Sequence, residues 1–254
     1  MKLTKAQLKE MLTVERFPLS SKYDPQWVLE NEMGPNALWL TEWLCEGLDL
    51  KPGMRVLDMG CGKGLSSIFL AKEFGVQVWA TDLWINATDN WQRIREAGVA
   101  ENVFPIHAQA HALPYAAAFF DAIVSIDSYH YYGTDDLYLR TFAKFVPSGG
   151  QLGIVVPGLM QDFKGKVPEY LNQFWDPGEC FSFHTVEWWR QHWAQTQIVN
   201  LEHADTLPDG WRHWLLFEET KVAAGTNRHD DEVPALHADQ GRYLGFVRLV
   251  ARKR

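Results

Sequence analysis

Residues 56–64 run Val56, Leu57, Asp58, Met59, Gly60, Cys61, Gly62, Lys63, Gly64. Two apolar residues suited to a buried parallel strand lead into an acid and then three glycines in alternation. Glycine lets the backbone take unusual φ and approach a ligand closely. The segment after it, 65–74, reads as a helix whose first N–H groups and positive dipole end face the same spot. In open α/β sheets such a crevice, at the carboxyl end of a strand, is where ligands bind. A second short apolar strand, 76–82, ends on another acid, Asp82, placed to accept hydrogen bonds from ribose hydroxyls. A third cluster, Asp127, Ser128, Tyr129, His130, Tyr131, Tyr132 and Gly133, is polar and aromatic beyond what a plain connection needs. His130 is the candidate general base there, because its ordinary pKa lies near neutrality, and Tyr129 and Tyr131 are candidates to orient an acceptor. A histidine that only packs is the alternative, and the sequence leaves both open.

The glycine spacing discriminates among nucleotide cofactors. The dinucleotide fingerprint is G-x-G-x-x-G and the phosphate loop is G-x-x-x-x-G-K-[ST]; this chain has G-x-G-x-G and neither of those. An acid beside the loop, Asp58, repels a pyrophosphate and suits a cation. That favours S-adenosylmethionine, which carries an amino group and a sulfonium and no phosphate. Asp82 argues for an adenosine ribose without choosing the cofactor; the loop spacing makes the choice. A ribose contact sits on the crevice surface, so replacing Asp82 is expected to weaken the cofactor and leave the fold intact.

V-L-D-M-G-C-G-K-G, the strand-end Asp82, A-H-A-L-P-Y before F-F-D-A-I-V-S, and F-V-P-S-G-G-Q-L occur in this order. Together they resemble the class I S-adenosylmethionine-dependent methyltransferases, over about residues 55–156. The resemblance implies that Asp58, Gly60, Cys61 and Gly62 pass under the methionine part of the cofactor and that Asp82, with Leu83 beside it, holds the ribose. It also implies that Gln109, Ala110 and His111 flank the adenine and that Asp127 starts the loop nearest the transferred methyl group. One departure stands out: the family commonly has Asp-Ala where this chain has Gln109-Ala110, an amide in place of a carboxylate. Segments before the first strand often fold over the cofactor in this family. Tyr23, Trp27 and the Met33–Gly34 turn are therefore expected near the pocket, with Trp84 and Tyr131 as further substrate-contacting candidates. Among 12 tryptophans, Trp39, Trp43, Trp188, Trp189 and Trp193 read as packing, whereas Trp84 and Trp91 follow the ribose acid.

The expected architecture is α/β: a doubly wound, seven-stranded, mostly parallel sheet of the Rossmann-like methyltransferase kind. Strands are predicted at 102–107, 121–127, 151–156, 198–207 and 241–251 besides the first two, and helices at 4–13, 36–48, 86–97, 135–145 and 185–196. Thr134 or Asp135 is the expected N-cap of the helix at 135–145. Residues 1–50 read as an N-terminal helical cap and 51–254 as the catalytic domain, with a lid-like insertion at about 208–240 between strands six and seven. The polar run 227–232 is expected to be a surface loop, with His229, Asp230, Asp231 and Glu232 solvated rather than ligating.

Composition bounds the function. With 254 residues and 46% hydrophobic content the chain has enough material for a full core. A net charge of −8 argues against binding nucleic acid by neutralising phosphates. There is no signal-peptide pattern and no apolar run long enough to span a bilayer, so the expectation is a cytoplasmic protein without a membrane partner. Cys45, Cys61 and Cys180 show neither disulfide nor zinc spacing and match arsenite methyltransferases poorly; no metal is expected. The expected activity is methyl transfer to a small molecule by in-line displacement, with the element accepting the methyl and the oligomeric state left open. The alternatives are a cyclopropane-fatty-acid-synthase-like enzyme, disfavoured by the acidic composition, and a non-catalytic S-adenosylmethionine sensor.

Overall fold

The computed structural model describes residues 3–226 and 232–254. Seven strands form one sheet: β1 (Arg55–Met59), β2 (Gln77–Asp82), β3 (Val103–His107), β4 (Ala122–Ile126), β5 (Gln151–Leu159), β6 (Val199–Thr206) and β7 (Leu244–Lys253). Their order is β3-β2-β1-β4-β5-β7-β6. The pairs from β3 through β5 are parallel, and β7 runs antiparallel to both its neighbours. The predicted doubly wound, mostly parallel sheet is therefore observed. Strand order reverses between β1 and β4, which opens a crevice at their carboxyl ends.

Helices α1 (Lys5–Leu12), α2 (Pro25–Asn31) and α3 (Ala37–Cys45) precede the sheet. Helices α4 (Leu65–Phe74), α5 (Ala87–Glu96) and α6 (Tyr138–Ala143) follow β1, β2 and β4. Helices α7 (Pro177–Cys180) and α8 (Val186–Ala194) lie between β5 and β6, and α9 (Gly210–Ala224) and α10 (Glu232–Asp239) between β6 and β7. Side chains alternate across a strand, so Val56 joins Leu44, Ile68 and Phe69 on one face while Leu57 joins Phe142, Trp189 and Trp193 on the other. Both strand residues are fully buried, the signature of a central strand covered on two sides.

The helix starts are set by side-chain caps that occupy orphan N–H groups. Thr4 forms a capping box with Gln7, Asp24 caps α2 ahead of Pro25, and Asn36 accepts from Leu38 and Trp39. The structure differs from expectation at α6, which begins at Tyr138 rather than 135. Asp135 Oδ1 accepts the Leu137 N–H at 2.7 Å and holds a turn there, so neither Thr134 nor Asp135 caps the helix. Helices α2, α7, α9 and α10 were not anticipated. In α9 the buried face carries Glu218, Thr220 and Lys221 alongside Trp214 and Phe217, and that polarity hides the apolar stripe from a hydropathy reading. Of the polar run, residues 227–231, with His229, Asp230 and Asp231, lie outside the described residues, and Glu232 opens α10. Among the described residues no helix is long and apolar enough to cross a membrane.

Candidate functional site

The glycine loop is tied to β2 by backbone bonds: the Gly60 and Cys61 N–H groups both donate to the Thr81 carbonyl, at 2.8 and 3.1 Å. Asp82 reinforces the tie. Its Oδ2 accepts the Gly62 N–H at 2.8 Å, and its Oδ1 accepts the N–H groups of Trp84 and Ile85 at 2.7 and 2.9 Å. Gly60 has φ +75°, and a Cβ there would overlap the Ser128 hydroxyl; at Gly62 (φ +53°) a Cβ would lie 2.9 Å from Met33 Sδ. Both positions therefore need glycine for conformation and for space. Behind the loop, Ser66 and Ser67 donate to Asp58 Oδ2, each at 2.6 Å, and fasten the start of α4 to the end of β1. Burial pushes the Asp58 carboxyl up to about 6 against the pull of those two hydroxyls, with Asp82 adding to the rise.

Two cavities meet above the β1–β4 crevice. The first, about 320 Å³, is floored by Gly60, Cys61 and Gly62 and flanked by Asp82, Leu83, Gln109, Ala110 and His111. Its one cationic side chain among the described residues, Lys63, turns its ammonium to the Glu30 and Glu32 carbonyls. The second, about 870 Å³, is walled by β5, α7, α9, α10 and the chain between β5 and α7. Met33, Gly34, Pro35, Trp84, Asp127 and Tyr131 line both cavities and so form their common boundary. Trp84 and Tyr131, both exposed, meet edge to face there with ring centroids 5.6 Å apart.

Residues 56–150, which build this loop and crevice, match the family described as "Methyltransferase domain". They are a methyltransferase domain of the class I type. The domain's chain is 35% identical over 134 residues to methyltransferase GfsG of Streptomyces halstedii, covering 51% of this chain and 48% of that one. It is 29% identical over 145 residues to phosphoethanolamine N-methyltransferase 1 of Arabidopsis thaliana, covering 54% and 29%. The chain thus spans half or less of these relatives' lengths. In fold it resembles a geranyl diphosphate methyltransferase solved in complex with SAM (TM-score 0.66, 18% identity, 84% of each chain). It also resembles phosphoethanolamine N-methyltransferase 2 of Haemonchus contortus (TM-score 0.70, 16% identity, 97% and 60%) and the [4+2]-cyclase SpnF (TM-score 0.67, 18% identity, 88% and 84%).

Within the methyltransferase domain the predicted cofactor set converges, with one exception. Gly60, Cys61, Gly62, Asp82, Leu83, Gln109, Ala110, His111 and Asp127 all line the first cavity, and so do Trp84 and Tyr131. Asp58 does not: it is fully buried beneath the loop, committed to the two serines. Tyr23 and Trp27 line neither cavity: Tyr23, ahead of α2, and Trp27, in its first turn, stack on each other in a separate outer groove beside Lys72 and Glu73. Tyr129 reaches neither cavity. It is enclosed by Tyr132, Tyr138, Phe142, Trp189 and Trp193, so its aromatic bulk belongs to the core under the crevice. His130 lines the second cavity, where burial lowers its pKa to about 3 and makes it a weaker base than its ordinary value suggests. Met33 and Gly34 sit at the boundary of the two cavities. Phe174, Trp175 and Leu236 were missed, and Glu232, expected in a solvated loop, lines the chamber with Trp214 of the insertion; the aromatic pair at 174–175 ahead of a helix-starting Asp-Pro was the available signal.

The Tyr129 hydroxyl and the Trp193 indole N–H are both buried and face each other, without a hydrogen bond of normal geometry. Removing an unpaired buried hydroxyl does not forfeit a bond. Tyr129→Phe is therefore expected to leave thermal stability equal or slightly higher; a loss above about 1 kcal/mol in denaturant unfolding would show that the two groups pair.

Beside the boundary lies a buried carboxyl cluster with one ammonium. Lys221, 1% exposed, sits 2.6 Å from Glu218 and 3.5 Å from Glu32, and donates to the Gly34 carbonyl at 3.4 Å. Glu232 Oε2 accepts the Trp214 indole N–H at 3.0 Å. Burial, with Glu232 adding and Lys221 opposing, pushes Asp127 and Glu218 each up to about 8. A carboxyl raised on folding contributes stability that is complete below its unfolded pKa and is lost as pH rises through the folded one. The melting temperature is therefore expected to fall from about pH 4 to about pH 8. Asp127→Asn should flatten that slope in a pH series of melts.

Proposed function

We propose that this chain is an S-adenosylmethionine-dependent methyltransferase acting on a small-molecule acceptor by in-line displacement. The observation that carries the reading is the pair of cavities: a glycine-floored crevice at the sheet's switch point opening directly onto a larger chamber. The first cavity fits the cofactor, since glycines floor it where a Cβ on Gly60 would collide with Ser128, two acidic side chains face it, and Lys63's ammonium is turned to main-chain carbonyls. When bound, S-adenosylmethionine supplies a methyl group on a cationic sulfur. Asp82 would hold its ribose, and Gln109 and His111 would flank the adenine. Asp127, Trp84 and Tyr131 at the boundary would set the acceptor's approach and exclude water, because alignment supplies most of the acceleration in such transfers.

In the same reading residues 1–50 form a cap, whose Met33–Gly34 turn borders both cavities, and the α9–α10 segment closes the acceptor chamber. The larger chamber also favours catalysis over cofactor sensing, since a sensor has no use for a second cavity at the methyl end. The test is titration calorimetry with S-adenosylhomocysteine, followed by transfer of a labelled methyl group to members of a metabolite extract. Binding with labelled product supports the reading; heat from NAD and none from S-adenosylhomocysteine sinks it.

A further inference from the structure

We propose that the second chamber takes a largely apolar amine without a phosphate group, its nitrogen held against the Asp127 carboxyl at the boundary of the two cavities. The proposal rests on the first cavity being the methyl-donor site and adds the acceptor's chemical class.

Charge is the first argument. Asp127, Asp176 and Glu232 line the chamber, and no lysine or arginine does among the described residues. The nearest ammonium, Lys221, is held by Glu218, Glu32 and the Gly34 carbonyl. Phosphoryl groups are bound by cationic forks or point charges, and this chamber opposes them with carboxyls. Phosphoethanolamine and geranyl diphosphate, named for similar proteins, therefore do not suit it.

The second argument is what lines the space. His130 is 2% exposed, lines the chamber, and leaves its Nδ1 without a hydrogen-bond partner. Asp127 makes no hydrogen bond to a described residue that would compete with a ligand, and it faces both cavities. The remaining wall is apolar or aromatic, with Trp84, Phe174, Trp175, Phe183 and Trp214 prominent. Aromatic faces favour an organic cation, and so does a buried carboxyl whose ionised form an adjacent cation stabilises.

The third argument concerns the transfer itself. The amine lone pair forms the N–C bond as the methyl–sulfur bond breaks with its electron pair left on sulfur, and one positive charge passes from sulfur to nitrogen. Carboxyls on the acceptor side stabilise that migrating charge. A hydroxyl or thiol acceptor must instead lose a proton beside those carboxyls, which disfavour the developing anion. His130, poor as a base, offers it no help. An amine arriving as ammonium hands its proton to the ionised form of Asp127, which predominates only above about pH 8, and the proton then leaves to water; at lower pH the amine must arrive already neutral.

The test uses the full chain saturated with S-adenosylhomocysteine and three matched probes: 2-phenylethylamine, 2-phenylethanol and 2-phenylethyl phosphate. Calorimetry is expected to show the amine binding about tenfold or more tightly than the alcohol, and the phosphate more weakly than either. Asp127→Asn should erase the amine's advantage, and labelled methyl should appear on nitrogen with the wild-type protein. An amine that fails to outbind its alcohol, or a phosphate that outbinds both, overturns the proposal with or without a folded Asp127→Asn. If S-adenosylhomocysteine itself does not bind, the donor reading falls first and this inference with it.

Discussion

Asp82→Ala is expected to weaken S-adenosylhomocysteine binding by about a hundredfold or more, because hydrogen bonds to a charged acceptor contribute roughly 1.5–3 kcal/mol each. The substitution is also expected to cost stability, against the reading of Asp82 as a surface contact alone. Asp82 is 7% exposed and its two oxygens accept three backbone N–H groups, from Gly62, Trp84 and Ile85. Losing them releases the glycine loop from β2 and leaves three donors short of partners, at about 1–3 kcal/mol for each one that water does not reach. Calorimetry and denaturant unfolding on the same preparation separate the two effects. An unchanged dissociation constant would remove the ribose from this end of β2. An unchanged midpoint would mean that water replaces the carboxylate at all three N–H groups.

Lys221→Met should destabilise the protein by about 3–5 kcal/mol above about pH 8, the scale observed when one partner of a buried ion pair is removed, and by less at lower pH, where burial keeps Glu218 protonated. Glu218 is fully buried and Glu32 is 5% exposed, so neither recovers hydration when the ammonium goes. Methionine keeps the stem's packing, which leaves the charge as the difference measured. The double variant Glu218→Gln with Lys221→Met is expected to recover part of the loss. Urea unfolding checks both; a single-variant loss under about 1 kcal/mol would show that the pair carries little net stabilisation at the working pH.

How much of this could be read from the residues differs by region, for physical reasons. The cofactor half of the sheet is dictated locally. Consecutive buried strands, Gly60 and Gly62 at positive φ, and an acid at each strand end leave few other arrangements, and nine of the ten residues expected to hold the cofactor line one cavity. Asp58 was misjudged because its neighbours eight and nine positions on, Ser66 and Ser67, claim its carboxylate, and a strand-end acid looks the same whether it faces a ligand or a helix start. The acceptor half was poorly legible. Tyr129 and His130 sit one residue apart on a short 3₁₀ turn, so one enters the core beneath the crevice while the other enters the chamber. Neither fate follows from composition. Trp175, Trp214 and Glu232 come from three separate segments, and only tertiary packing brings them together.

The hydrogen bond from Lys221 to the Gly34 carbonyl joins positions 187 residues apart. Forming it closes a very long loop, which is entropically costly and slow compared with pairing β1 to β2. On a growing polypeptide the donor crevice can therefore take shape well before its neighbour, which waits for α9 to emerge and dock. An immature chain of this kind is expected to recognise the nucleoside ahead of gaining a compartment for the molecule to be modified.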